Sequence, residues 1–151
     1  MALNDYIRVL NIKSNNLYAL IGIGWLYLVD YIIYKNIESL NNAEKDIKSG
    51  LYIDNSDLPL LNNNGVMLLL KYKIEKNIKL LEEARKFLNS AINNKREKHN
   101  LGETYYYLSL VYKEYSQLEN VDNLKKEEYK KESEKALKKS KELGYKNFIE
   151  G

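Results

Sequence analysis

The side chains that could do chemistry are few and scattered. His99 is the only histidine, flanked by Lys98 and Asn100 in a polar stretch, and the chain has no cysteine. A metal centre needs several donors converging on one point, and a nucleophile needs a base within reach. One imidazole with no thiol offers neither, so His99 is expected in an exposed loop. Disulfides, thiolate zinc sites and cysteine nucleophiles are excluded outright. Asp54, Asn55, Ser56 and Asp57 line up four oxygen-bearing side chains. A calcium loop of the EF-hand type also needs a central glycine and a glutamate at its twelfth position, and the twelfth position counted from Asp54 as the first is Gly65. A helix-capping linker accounts for these residues better. Gly22 and Gly24 lack the third glycine and the preceding strand of a dinucleotide loop, and no nucleophile elbow or phosphate loop occurs. No catalytic residue, metal or cofactor is therefore expected.

The charges point the same way. There are 24 basic and 21 acidic residues, a net charge of +3, which describes a mixed, solvated surface. Between residues 125 and 146 nine lysines meet five glutamates with no arginine. Nucleic-acid binders cluster their cations and interleave arginine or stacking aromatics. Here Glu127, Glu128, Glu132, Glu134 and Glu142 interrupt the run, and pairs such as Glu134 with Lys138 suit helix support. A nucleic-acid partner is disfavoured.

What remains is architecture. With 151 residues, 44% of them hydrophobic, the chain can bury a core as one domain spanning 1–151, and seven glycines with a single proline favour helices over turn-rich β structure. An all-α fold is predicted. Residues 2–12 carry Leu3, Tyr6, Ile7 and Leu10 on one helical stripe, followed by a break at Ser14, Asn15 and Asn16. Residues 17–34 hold one charge, Asp30. As a helix this stretch is about 27 Å long, near the minimum for a membrane span. Burying Asp30 in a bilayer would cost about 2.5–3.5 kcal/mol if central, and the Tyr residues are spread along the segment rather than gathered at its ends. It is read as a core helix, with a membrane anchor as the competing reading. A carboxylate on so apolar a helix calls for a donor near Asp30. Further helices are expected over 43–49, 60–74, 77–92, 102–115 and 125–143, with residues 51–58 as the longest irregular linker and 93–100 as a polar loop.

These segments repeat. Leu20, Ile23, Gly24 and Tyr27 recur as Leu61, Asn64, Gly65 and Leu68, and again as Tyr105, Leu108, Ser109 and Tyr112. A second set, Ala43, Ile47 and Gly50, recurs as Ala84, Leu88 and Ala91, then as Ser133, Leu137 and Ser140. Each set falls on one face of a helix, and both first steps are 65 − 24 = 84 − 43 = 41 residues. The units run over about 17–50, 58–93 and 101–145, with 1–16 as an N-terminal helix and break. Small residues among large ones predict close helix contact at Gly24, Gly65 and Ser109.

The double pattern resembles the tetratricopeptide repeat, most closely at Tyr105, Leu108, Ser109, Tyr112, Ser133, Leu137, Ser140 and Tyr145. In that family the second set follows the glycine position by about 12 residues. Here the interval is 43 − 24 = 84 − 65 = 19, and 24 in the third unit, which requires longer helices or enlarged turns. The resemblance implies antiparallel helix pairs stacked in a short superhelical array, about six helices beyond the short N-terminal one. It also implies a groove lined by first helices. Carried over by position, the groove residues are Tyr18, Ile21, Trp25 and Leu28; Asn62, Val66 and Leu69; and Tyr106, Leu110 and Lys113. Most are apolar, which suits an amphipathic helix as ligand. The expected protein is a cytoplasmic, non-catalytic scaffold for a protein or peptide segment, with self-association or occupation of the groove by residues 2–12 as variants.

Overall fold

The structure, a computed structural model, describes residues 4–5, 8, 16–94 and 101–147. Among them are six helices and no strand: α1 (Leu17–Tyr34), α2 (Ile37–Ile53), α3 (Leu58–Glu75), α4 (Ile78–Ile92), α5 (Leu101–Ser116) and α6 (Asn123–Glu142). The expected helix over residues 2–12, the loop over 95–100 and His99 lie outside the described residues, apart from Asn4, Asp5 and Arg8, which are helical and exposed.

Local chemistry sets most helix starts. Asn16, Asn36, Asp57, Asn77 and Asp122 are N-caps whose side chains accept from Ala19, Glu38, Leu60, Lys79 and Lys125 backbone N–H groups. Each such cap contributes about 1 kcal/mol by satisfying a donor the helix leaves open. Pro59 sits in the first turn of α3, where its missing N–H costs nothing.

The turns inside the first two pairs are nearly identical. Lys35 and Lys76 both adopt the left-handed conformation at φ 57°. Their N–H groups donate to Tyr31 and Tyr72 carbonyls at 2.7 Å, and their ammonium groups lie 5.5 and 5.6 Å from the same tyrosine rings. Asn36 and Asn77 then open the next helix at once. Two-residue turns force antiparallel neighbours, and α1 packs on α2, α3 on α4 and α5 on α6.

Two sequence expectations need correction here. The helix expected to begin at Ala43 begins at Ile37, nearly two turns earlier. Asn41 and Asn42 are therefore mid-helix, and Asn36 is the cap. Residues 51–58 are not a long irregular stretch: α2 continues to Ile53 and α3 starts at Leu58, so only residues 54–57 are irregular. The wide interval between repeated sets comes from long helices in the first two pairs, whereas the third pair has an enlarged turn over residues 117–122.

The pairs stack through two kinds of contact: α2 on α3 and α4 on α5, and also α1 on α3 and α3 on α5. Among the described residues α2 does not meet α4, nor does α4 meet α6. First helices therefore lie side by side while second helices splay apart. Both repeated sets are packing positions. A Cβ at Gly24 would stand 3.3 Å from Ile47 Cγ1, and one at Gly65 would stand 2.6 Å from Leu88 Cγ and Cδ2. Ser133 Oγ donates to the Ser109 carbonyl at 2.8 Å. All three small residues stand where two helices touch, as expected. The core running through them includes Leu28, Ile47, Leu60, Met67, Leu81, Leu88 and Val111. Asp30, half-buried, accepts a hydrogen bond from Ser39 Oγ, the donor its surroundings require.

The core also holds polar residues that hydropathy would place outside. Asn62, Asn63 and Asn64 are all buried in the middle of α3. Thr104 Oγ1 donates to Asn62 Oδ1 at 2.7 Å, and Asn63 Nδ2 donates to the Ile21 carbonyl at 3.3 Å. Both bonds join α3 to a neighbouring first helix, so α3 is tied to both sides by directional contacts as well as apolar ones.

Candidate functional site

Where α1, α3 and α5 run side by side, the C-terminal halves of α1 and α3 and the middle of α5 line a cavity of about 260 Å³. Its wall is apolar: Ile32 from α1, Val66, Leu69, Leu70 and Ile74 from α3, and Leu110 from α5. Tyr31, Tyr106 and Tyr107 add rings, and Lys35 and Lys73 stand among the lining residues. The tail after α6 closes one side. Asn147 Nδ2 donates to the Tyr106 hydroxyl at 2.7 Å, and the Tyr145 ring lies 5.2 Å from that of Tyr106.

The site's electrostatics follow from burial and from helix ends. Burial pushes the Tyr107 hydroxyl well above its ordinary value, with neighbouring Tyr145 and Glu103 adding to the effect, so it is a neutral donor at any ordinary pH. Burial also raises Tyr72, with a further push from Glu114. Lys73 Nζ lies 3.8 Å from Glu114 Oε1, linking α3 to α5. Lysines at helix C-termini offset the negative end of the macrodipole, and here Lys35, Lys73, Lys76 and Lys113 all stand at the same end of three roughly parallel helices. Nothing in this arrangement pairs a nucleophile with a base, and no group of three or more His, Asp or Glu able to hold a metal occurs among the described residues. What the site can do chemically is receive an apolar group and present cations beside it.

The ten residues carried over by position separate clearly. Val66, Leu69, Tyr106 and Leu110 come together in the cavity. Leu28 is completely buried, and Asn62 is buried against Thr104, so both act as core. Ile21 and Trp25 are half-buried against the core. Tyr18, 73% exposed, and Lys113 are on the surface outside the cavity. Sequence reasoning missed Tyr31, Ile32, Lys35, Leu70, Lys73, Ile74, Tyr107 and Asn147. A signal for part of this set was present: Tyr31, Lys35, Asn36 and Ile37 recur 41 residues on as Tyr72, Lys76, Asn77 and Ile78.

A second cavity of about 560 Å³ lies on the other side, between α4, α5 and α6. Tyr105, Leu108 and Tyr112 of the first repeated set line it beside Glu132, Lys135, Lys139 and Glu142. Comparison with protein-family models, with curated proteins and with solved structures returns no match.

Proposed function

We propose that this chain is a tetratricopeptide-like scaffold without catalytic activity, and that it holds an amphipathic helix of a partner protein in the groove formed by α1, α3 and α5. The observation that carries the reading is the apolar cavity at the meeting of those three helices. An open pocket lined by Val66, Leu69 and Leu110 gains free energy when an apolar side chain fills it, about 25 cal/mol per Å² removed from water. Lys35 and Lys73 suit an acidic residue one turn from that anchor, so the ligand is a helix with an apolar i, i+3, i+4, i+7 stripe and a carboxylate at one end. The stacking of first helices supports the tetratricopeptide-like reading. The partner function rests on the cavity alone.

The test is peptide selection against the whole chain, counter-selected against Leu110→Glu. The expected result is enrichment of helical peptides with spaced apolar residues and a nearby Asp or Glu, whose binding Leu110→Glu abolishes. Selected peptides that bind both proteins equally would overturn the assignment of the groove.

A membrane-associated module is the second reading, carried by α1. That helix has 18 residues with mean hydropathy 1.6, and a third of it is buried. Tyr18, Ile33, Tyr34 and Ile37 expose apolar surface along it and just beyond it. Co-flotation of the chain with anionic vesicles would favour this reading; recovery as a soluble species without vesicle binding favours the cytoplasmic scaffold.

A further inference from the structure

Each later first helix presents one face to the pair before it, and the contacts recur in register. In α3 the face is Leu60, Asn63, Met67 and Lys71; in α5, 44 residues on, it is Thr104, Tyr107, Val111 and Tyr115. Leu60 packs on Gly50, where a Cβ would stand 2.9 Å from its Cδ1. Lys71 Nζ reaches Glu44 at 2.5 Å. At the matching place in the next junction the Arg85 guanidinium lies 5.0 Å from the Tyr115 ring. The equivalent face of α1, 41 residues before that of α3, is Ala19, Gly22, Leu26 and Asp30. Ala19 is completely buried, but Gly22 and Leu26 are only half-buried, whereas Met67 and Val111 in the place of Leu26 are fully buried.

The sequence before α1 carries the matching half. Ala2, Tyr6 and Val9 stand 41 residues before Ala43, Ile47 and Gly50, and Ala2, Asp5, Leu10 and Ile12 are identical to Ala43, Asp46, Leu51 and Ile53 at that spacing. Asn16 stands 41 residues before Asp57, and both cap by accepting from the N–H three residues on. The Asn16 cap therefore matches the Asp57 cap in place and in chemistry. Side-chain sizes are complementary as well: Gly50 faces Leu60, and in the same places Val9 would face Ala19, the bulk moved from one helix to the other. Asn4, Asp5 and Arg8 are helical and exposed, as are Lys45 and Ser49, with Asp46 half-exposed, at the corresponding places of α2.

We infer that residues 2–12 hold the place before α1 that α2 holds before α3, and that they dock on the Ala19, Gly22 and Leu26 face of α1 as α2 docks on α3. Val9 and Leu10 of that segment, in the places of Gly50 and Leu51, then lie against α1, and the groove of α1, α3 and α5 stays open for its ligand.

A disulfide test is direct, because the chain has no cysteine of its own. Val9→Cys with Ala19→Cys should oxidise quickly to an intramolecular bridge in the monomer, seen as faster migration on a non-reducing gel. Val9→Cys with Leu110→Cys, which samples the groove, should not. Preferential bridging of the groove pair, or bridging of the first pair only between molecules, would overturn the inference. Hydrogen exchange of the unsubstituted chain gives a second measure. Amides 2–12 should be protected, and Leu26→Asp should speed their exchange by about tenfold or more while α5 and α6 keep their protection. Free exchange of those amides in the unsubstituted chain would equally sink it.

Discussion

Gly65→Ala adds one methyl group at a helix contact tighter than those at Gly24 and Gly50. The new carbon would meet Leu88 Cγ and Cδ2 at 2.6 Å and Cδ1 at 3.3 Å, against an optimum of about 3.5–4.0 Å for carbon pairs. Leu88 is completely buried and in contact through Cγ, its branch point, so turning the side chain about its outer bond does not relieve the clash. The helices must part by about 1 Å to restore that optimum. Overpacking of this kind costs about 1–3 kcal/mol, while replacing a mid-helix glycine by alanine returns about 1 kcal/mol. Because three Leu88 atoms are met at once, the strain belongs at the upper end, about 2–3 kcal/mol, and the expected net effect is a loss of about 1–2 kcal/mol. Gly24→Ala is the internal control. Its methyl meets a single atom, Ile47 Cγ1, at 3.3 Å, so the helix-propensity gain should cancel the strain and leave stability within about 0.5 kcal/mol. Urea denaturation followed by far-ultraviolet circular dichroism reads both. A double-mutant cycle completes the argument. Leu88→Ala alone should cost about 2–5 kcal/mol through its cavity, but in the presence of Gly65→Ala the added methyl partly fills that cavity and the clash is gone. The double variant should be at least about 1 kcal/mol more stable than the sum of the singles. A Gly65→Ala protein as stable as the original, or strict additivity in the cycle, would refute the close-contact account of the repeated set.

Further consequences follow from single contacts. Tyr115 Oη is the one buried side-chain polar atom without a hydrogen-bond partner among the described residues, and burial pushes its pKa up to about 12 despite Arg85 nearby. Tyr115→Phe should therefore stabilise by about 1 kcal/mol, seen as a raised denaturation midpoint. Thr104→Val leaves Asn62 Oδ1 without its donor and should cost about 1–3 kcal/mol; pairing it with Asn62→Leu should recover most of that loss in the same assay. Burial pushes Glu44 upward, but hydrogen bonds and charge from Lys48 and Lys71 outweigh it and hold its pKa below the ordinary glutamate value. A depressed folded pKa contributes stability that is present at neutral pH and is lost as pH falls through the folded value. The stability gap between the original and Glu44→Gln should then close in acid. A gap that persists below the glutamate range would show that the Glu44–Lys71 contact is not what joins the first two pairs.

The parts of this protein legible from sequence are those fixed by neighbours along the chain. The limits of α1 follow from Asn16, an unbroken apolar run and one carboxylate, all within a single helix length. The repeated sets were legible because helix contact demands small residues at fixed spacing, and both Gly24 with Ile47 and Gly65 with Leu88 are 23 residues apart. The start of α2 was not legible, since Lys35 ends α1 in a left-handed conformation that usually takes glycine, so no glycine marks the turn. Its stability comes from the Tyr31 carbonyl and ring that the fold places beneath it. The burial of Asn62 and Asn63 was likewise decided in three dimensions: each amide is costly in a core until a neighbouring helix supplies Thr104 or the Ile21 carbonyl as its partner. The cavity is the clearest case. Positional carry-over named Val66, Leu69, Tyr106 and Leu110, because those residues sit on the groove face of their own helices. Lys35, Lys73 and Asn147 joined them only through the angle at which three helices and a tail converge, a property of helix packing that no spacing within one segment records.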